Sequence, residues 1–371
     1  METIRVALAE RSYDIHIGRG ILPTVGKRMR QLLPRAEQAL IVTDSHVGPL
    51  YGESLRRSLE EAGFRVHTVT VPAGEESKSL AVLADIYSHM ADAALTREDP
   101  VVTLGGGVVG DLGGLAAATY LRGLPFIQVP TSLLAQIDSS VGGKTAVDLP
   151  QGKNLVGAFH QPAAVYIDPS VLETLPERYL RDGMAEVVKY GCICEETLFR
   201  RLEELSGPEA MLDERVAEEI IATCCRIKAS IVEKDERDTG CRMLLNFGHT
   251  LGHSVERHYH YRGFSHGEGV AVGMALLTER SEAMGMTEPG TLRRLLSLLD
   301  CLRLPVRAAM TREDLLAGVA MDKKKQGSRI NLVLLKRIGE AFLHNIPMDE
   351  MKDYIPESPA GEKRDAQEER P

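Results

Sequence analysis

Two histidines stand four residues apart in "NFGHTLGHSVE" (246–256). On a helix that spacing puts the imidazoles of His249 and His253 on one face, close enough to share an ion. A metal site needs further ligands. "HGE" (266–268) offers His266 with Glu268 beside it, and "GMAEVVKYG" (183–191) offers Glu186 with Lys189 one helical turn along. Two or three imidazoles and a carboxylate make an ordinary Zn²⁺ set that leaves a position for a substrate oxygen. Spacing alone leaves open which of His249 and His253 is the ligand, and whether the other moves protons or simply packs. His258 and His260, in the tyrosine-bearing "RHYHYRGF", are expected in an exposed loop.

A second chemical signal is "LGGGVVGD" (104–111), in which Gly105, Gly107 and Gly110 satisfy G-x-G-x-x-G between an expected strand and an expected helix. Glycines there let backbone N–H groups approach a pyrophosphate, and the helix N-terminus adds partial positive charge. No acidic residue ends a strand about twenty residues later, as the ordinary dinucleotide fingerprint requires. Asp44, ending "ALIVTD", could take the ribose hydroxyls instead, and "PAGEESK" (72–78) adds Glu75 and Lys78 at another strand end. Together the three loops favour a dinucleotide.

The third signal is "QVPTSLLAQIDSSVGGKTAVDLPQGKNLVGAFHQP" (128–162), which carries Asp138, Lys144, Lys153 and Asn154 among glycines. Lysines beside an acid and an amide suit a small hydroxylated, phosphorylated substrate. No neighbouring acids balance these lysines in the sequence, which argues against a merely solvated hairpin. "GGKT" is not a P-loop, because Asp138 stands where the first glycine should be.

These residues need elements to position them. Through about residue 170, short β-rich runs alternate with helical stretches: "ALIVTD", "RVHTVTVP", "PVVTLGG", "PFIQVP" and "AAVYIDP" read as strands. That pattern predicts βαβ units and a mainly parallel sheet, hence an α/β domain over 1–175. Beyond "ETLPERYL" the texture turns helical, predicting an all-α domain over 176–356 in which "INLVLLK" (330–336) is a single extended piece. The polar, charged stretch 357–371 is expected to be disordered. At 371 residues two domains are the default, with 43% hydrophobic residues supplying ample core.

The formal charge, 44 minus 53 or −9, has no basic stripe, which excludes ordinary nucleic-acid binding. No apolar run of about 18 residues suggests a membrane span, and no signal-peptide pattern is visible. Six cysteines without a CxxC pair fit a reduced, cytoplasmic protein.

"GGGVVGD", "AAATYLRG", "PTSLLAQIDSSVGGKTAVDLPQGKNLVGAFHQP", "LPERYLRDGMAEVVKYG", "NFGHTLGHSVE", "HGE" and "MDKKKQG", in this order, strongly resemble the 3-dehydroquinate synthase family of sugar phosphate cyclases. The resemblance runs from about residue 43 to about residue 335. It implies a Rossmann-like NAD-binding domain followed by a helical metal-binding domain, generally as a homodimer. It further implies conversion of 3-deoxy-D-arabino-heptulosonate 7-phosphate to 3-dehydroquinate and phosphate in the shikimate pathway. The route is transient NAD-dependent oxidation, β-elimination of phosphate, re-reduction, ring opening and intramolecular aldol closure.

Carried onto this chain, the resemblance separates the histidines. Glu186, His249 and His266 match ligands of Zn²⁺, with Co²⁺ an alternative, whereas His253 matches an unliganded histidine that transfers protons. Lys144, Lys189, Asp138 and Asn246 match further catalytic positions. Arg122, Lys153, Asn154, Lys228, Arg242 and a lysine of "DKKK" (Lys323 or Lys324) match substrate-binding ones, with Arg122 reaching a neighbouring subunit. Asp44, Glu75, Lys78, Gly105, Gly106, Gly107, Asp111, Thr131, Ser132 and Thr174 fall on NAD-contacting loops, which Lys144 and Lys153 also border. Ser132 and Asp148 stand where threonine and asparagine are commoner, and neither change removes a catalytic group. The nearest alternatives are another sugar phosphate cyclase and a metal-dependent polyol dehydrogenase; a catalytically dead NAD-binding scaffold would not need the full set.

Overall fold

The apolar runs expected to be strands all lie in one seven-stranded sheet. Its members are β1 (Glu2–Val6), β2 (Tyr13–Ile17), β3 (Gln38–Asp44), β4 (Arg65–Val71), β5 (Val101–Gly105), β6 (Phe126–Pro130) and, after the hairpin β7 (Lys144–Leu149) and β8 (Gly152–Phe159), the strand β9 (Ala164–Ile167). The order is β1-β2-β9-β6-β5-β3-β4, parallel throughout except for the antiparallel pair β1–β2. Central strands of such a sheet are covered on both faces, so their sequences are continuously apolar rather than alternating. In β3, Ala39 and Ile41 pack into one core and Leu40 and Val42 into the other.

The computed structural model describes residues 1–260, 262–323 and 328–357. The chain divides into two compact units, 1–180 with 210–238, and 181–209 with the chain from 239 on. Sequence texture places a single boundary at 175/176. The helix Glu214–Lys234 nevertheless groups with the sheet unit, because its buried face packs on β1 and β2 and on the turn Ala135–Ser139.

The second unit is mainly helical, as expected. The extended piece β10 (Arg329–Arg337) is not single, however: it pairs antiparallel with β11 (Glu340–Pro347), whose sequence carries too little periodicity to announce it. Among the described residues no helix is long and apolar enough to cross a membrane. Lys324, the side chain of Lys323 and the tail from 358 on lie outside the described residues.

Two helices of this unit, His249–His258 and His266–Ala283, cross at backbone contact. Glycines at the crossing permit it. A Cβ on Gly273 would lie 1.9 Å from the Gly248 carbonyl oxygen, and one on Gly252 would lie 2.9 Å from Gly269. Gly248 itself holds φ +81°, a left-handed turn that starts the first helix at His249. The close crossing brings the first residues of both helices, His249 and His266, within reach of one carboxylate. Replacing Gly273 with alanine should therefore cost about 1–3 kcal/mol by overpacking against backbone, seen as a lowered melting temperature together with weakened metal binding. Wild-type values of both would show that the crossing can widen freely.

Candidate functional site

Glu186, on the helix Glu177–Cys194, is fully buried, and neither carboxylate oxygen accepts a hydrogen bond among the described residues. The Lys189 ammonium, 1% exposed, forms an ion pair with it from one turn away. A buried carboxylate is costly unless charge or metal compensates it. Two imidazoles also face it: His249 Nε2 lies 3.6 Å and His266 Nε2 3.7 Å from Glu186 Oε1. Donor atoms about 3.4 Å apart are what a tetrahedral ion with bonds near 2.1 Å demands, so these three residues fit Zn²⁺.

The tautomers agree with that fit. His249 Nδ1 lies 3.2 Å from the Phe247 carbonyl oxygen, which only accepts; Nδ1 must donate, leaving the Nε2 lone pair toward Glu186. Burial, followed by the nearby charge of Lys189, holds the His249 pKa well below the usual histidine value, so its imidazole is neutral. His266 is pushed the other way, to about 9: burial opposes its charge, but the Glu256 hydrogen bond and the carboxylates of Glu256, Glu186 and Asp182 outweigh it. As a metal ligand His266 must give up that proton.

His253 is exposed, its ring centroid 5.5 Å from that of His249. Among the described residues, Glu186, His249 and His266 make one group able to hold a metal, and His253, Glu256 and His266 another; no group contains both His249 and His253. The symmetric clasp suggested by i, i+4 spacing is therefore not the arrangement the fold favours. Glu268, adjacent to His266 in sequence, instead closes a capping box with Ser265, accepting from its N–H at 2.9 Å. Arg242 is buried and Asn246 exposed on the turn Cys241–Asn246. His258 and His260 are exposed, as expected, but His258 is the last residue of the helix His249–His258 and not part of a loop.

Sequence inspection missed two buried acids here. Asp182 Oδ1 accepts from the Gly267 N–H at 2.5 Å, and Glu256 Oε2 lies 3.4 Å from His266 Nδ1. Their only sequence signal is position, Asp182 one turn before Glu186 and Glu256 three residues after His253.

In the sheet unit, the loops after β3, β4, β5 and β6 share the carboxyl edge of the parallel strands. Chain order runs outward in opposite directions from the adjacent pair β3 and β5, which makes their carboxyl ends the switch point where ligands bind such sheets. Asp44 ends β3 and accepts from the His46 and Val47 N–H groups at 2.8 and 2.9 Å. Gly105 ends β5, and Gly106, with no side chain to cap it, leads into the helix Gly107–Thr119. That helix N-terminus suits a pyrophosphate. Gly110 has a different duty: its Cβ would lie 2.8 Å from Gln128 Oε1, so it serves helix–sheet packing. Thr131 is buried, Ser132 lies beside Gly106, and Thr174 meets the Tyr51 hydroxyl at 2.6 Å.

Lys144 and Lys153, expected to be unbalanced, are paired, as are Lys228 and Lys78. Lys144 pairs with Asp238, Lys228 with Asp138, Lys153 with Glu75 at 3.2 Å, and Lys78 with Asp111 at 2.6 Å. These acids are remote in sequence, which is why local charge counting overlooks them. Burial of Lys78 opposes its charge, but Asp111 and then Glu75 raise its pKa and keep it protonated. Asp148 is also engaged. Its Oδ1 accepts from the N–H of Asn154, a left-handed residue at φ +56°, whose Oδ1 in turn accepts from Lys78 Nζ. Arg122 is exposed at a second left-handed turn, φ +71°.

Comparison with known proteins agrees with this architecture. The 3-dehydroquinate synthase N-terminal model matches residues 68–182, and the C-terminal model residues 183–325. The chain belongs to the 3-dehydroquinate synthase family. It is 49% identical to the 3-dehydroquinate synthase of Clostridium acetobutylicum over 96% of this chain and 99% of that one. Among solved structures it resembles a 2-deoxy-scyllo-inosose synthase complexed with carbaglucose-6-phosphate, NAD⁺ and Co²⁺, at TM-score 0.85 and 25% identity over 95% and 98% of the two chains. It also resembles the 2-epi-5-epi-valiolone synthase of Streptomyces hygroscopicus subsp. jinggangensis with NAD⁺ and Zn²⁺ bound, at TM-score 0.83 and 29% identity over 94% and 97%.

The geometry makes a sharp distinction among the histidines. Glu186→Ala and His249→Ala should each weaken Zn²⁺ binding by more than the ~100-fold typical of an outer-shell partner, measured by chelator competition. His253→Ala should bind Zn²⁺ as the wild type does while its turnover falls about 10²–10⁴-fold. Metal loss in His253→Ala would refute the division of labour.

Proposed function

We infer that this chain converts 3-deoxy-D-arabino-heptulosonate 7-phosphate to 3-dehydroquinate and phosphate, an NAD- and metal-dependent lyase step of the shikimate pathway toward chorismate and the aromatic amino acids. The observation that carries the reading is the match of both halves to the two 3-dehydroquinate synthase models, with the Glu186, His249 and His266 cluster inside the second. When bound, NAD supplies reversible oxidation at a substrate alcohol carbon and the metal supplies Lewis acidity at its oxygen.

In this reading Glu186, His249 and His266 hold Zn²⁺ or Co²⁺. Asp44, Glu75, Lys78, Gly105, Gly106, Gly107, Asp111, Thr131, Ser132 and Thr174 serve NAD. Lys144, Lys153, Asn154, Lys228, Arg242 and Asn246 hold the substrate's phosphate and carboxylate, with Lys323 or Lys324 contributing a further cation. Asp138 orients a hydroxyl, and Lys189 steadies the charge of Glu186. Once the substrate carries a ketone, the neighbouring C–H is acidic enough to lose its proton while the C–O bond to phosphate breaks. His253, an exposed imidazole, moves that proton. Most of the remaining work is positioning one intermediate through ring opening and aldol closure. The reading includes a cytoplasmic homodimer in which the exposed Arg122 reaches across to the partner's phosphate site.

Incubation of metal-loaded protein with the heptulosonate phosphate and catalytic NAD⁺ should release stoichiometric phosphate without net NADH. Phosphate release only from a seven-carbon sugar phosphate lacking the carboxylate would indicate another cyclase. Accumulation of NADH in step with substrate loss would indicate a polyol dehydrogenase.

A further inference from the structure

We propose that Glu256 is the positioning residue of the metal centre, fixing His266 as the tautomer that presents Nε2 to the ion. The inference rests on the assignment of Glu186, His249 and His266 as the ligands.

Glu256 lies seven residues after His249 on the same helix, hence on the same face, and it is buried, at 3% exposure. Room for it is made by Gly269, whose Cβ would lie 3.3 Å from Glu256 Cγ. Its Oε2 is 3.4 Å from His266 Nδ1, while His266 Nε2 faces Glu186 Oε1. An ionised carboxylate only accepts, so Nδ1 carries a hydrogen, and the proton that His266 gives up on binding the ion leaves the lone pair at Nε2. His249 obtains the same tautomer from a backbone carbonyl, that of Phe247. The two imidazoles are thus oriented by equivalent devices, one in the main chain and one in a replaceable side chain. Asp182 completes the arrangement by holding the Gly267 N–H, which anchors the start of the helix that carries His266. A ligating imidazole whose second nitrogen is held by a carboxylate binds metal more tightly and in a fixed orientation.

The competing role for Glu256 is as a ligand, because His253, Glu256 and His266 also bring their donor atoms within 4.8 Å of one another. Measurement of Zn²⁺ affinity by chelator competition on the full chain separates the two roles. Glu256→Ala should bind one ion per chain about 10–100-fold more weakly, with the melting temperature of the metal-stripped protein unchanged. Glu256→Gln, whose amide oxygen still accepts from Nδ1, should recover most of that loss. The Co²⁺ absorption bands should shift in Glu256→Ala and stay near wild type in Glu256→Gln. Wild-type affinity in Glu256→Ala, alongside metal loss in Glu186→Ala, would overturn this inference alone. If Glu256→Ala and His253→Ala lose the ion and Glu186→Ala keeps it, the ion sits in the other group and both readings fall.

Discussion

The second unit is organised around one buried negative charge. The Glu186 carboxylate is fully enclosed and accepts no hydrogen bond among the described residues, so its desolvation must be offset by charge. Lys189 offsets part of it, and the same pairing offsets part of the cost of burying its own ammonium. Two neutral-capable imidazoles face the same oxygen at metal-ligand separations. A divalent ion would satisfy the carboxylate and both Nε2 lone pairs together.

That requirement propagates into the backbone. The imidazoles come from the first residues of two helices, and both helix starts are held in place by local chemistry. One follows the left-handed Gly248; the other is closed by the Ser265–Glu268 capping box and tied to Asp182. The helices can approach closely enough only because glycines face each other at the crossing. Polar placement and backbone packing are therefore a single constraint in this unit.

The sheet unit follows a different electrostatic logic. Its lysines Lys78, Lys144, Lys153 and Lys228 are each matched to a carboxylate from another part of the chain, Lys144 with Asp238 and Lys228 with Asp138 among them. Pairing orients these cations. An anionic ligand drawn to any of these lysines would have to compete with its partner acid. Asp148, a departure from the commoner asparagine, takes part by holding the left-handed Asn154 and, through it, Lys78.

The central strands are legible in the sequence because both faces of β3, β5 and β6 are buried, which leaves uninterrupted apolar runs. The antiparallel pair β1–β2 and the hairpins β7–β8 and β10–β11 are not, since their sequences carry weaker patterns. The long helix 214–234 is legible as a helix but not as a member of the sheet unit, because periodicity reports a buried face and not what covers it. Sequence by itself determined the chemical inventory and, through long ordered motifs, the family. Only tertiary structure decided which acid meets which base: that Glu268 caps a helix, that Glu256 faces His266, and that His249 and His253 belong to different groups. Ligand geometry depends on distances between residues far apart along the chain, and helical spacing constrains only neighbours on one helix.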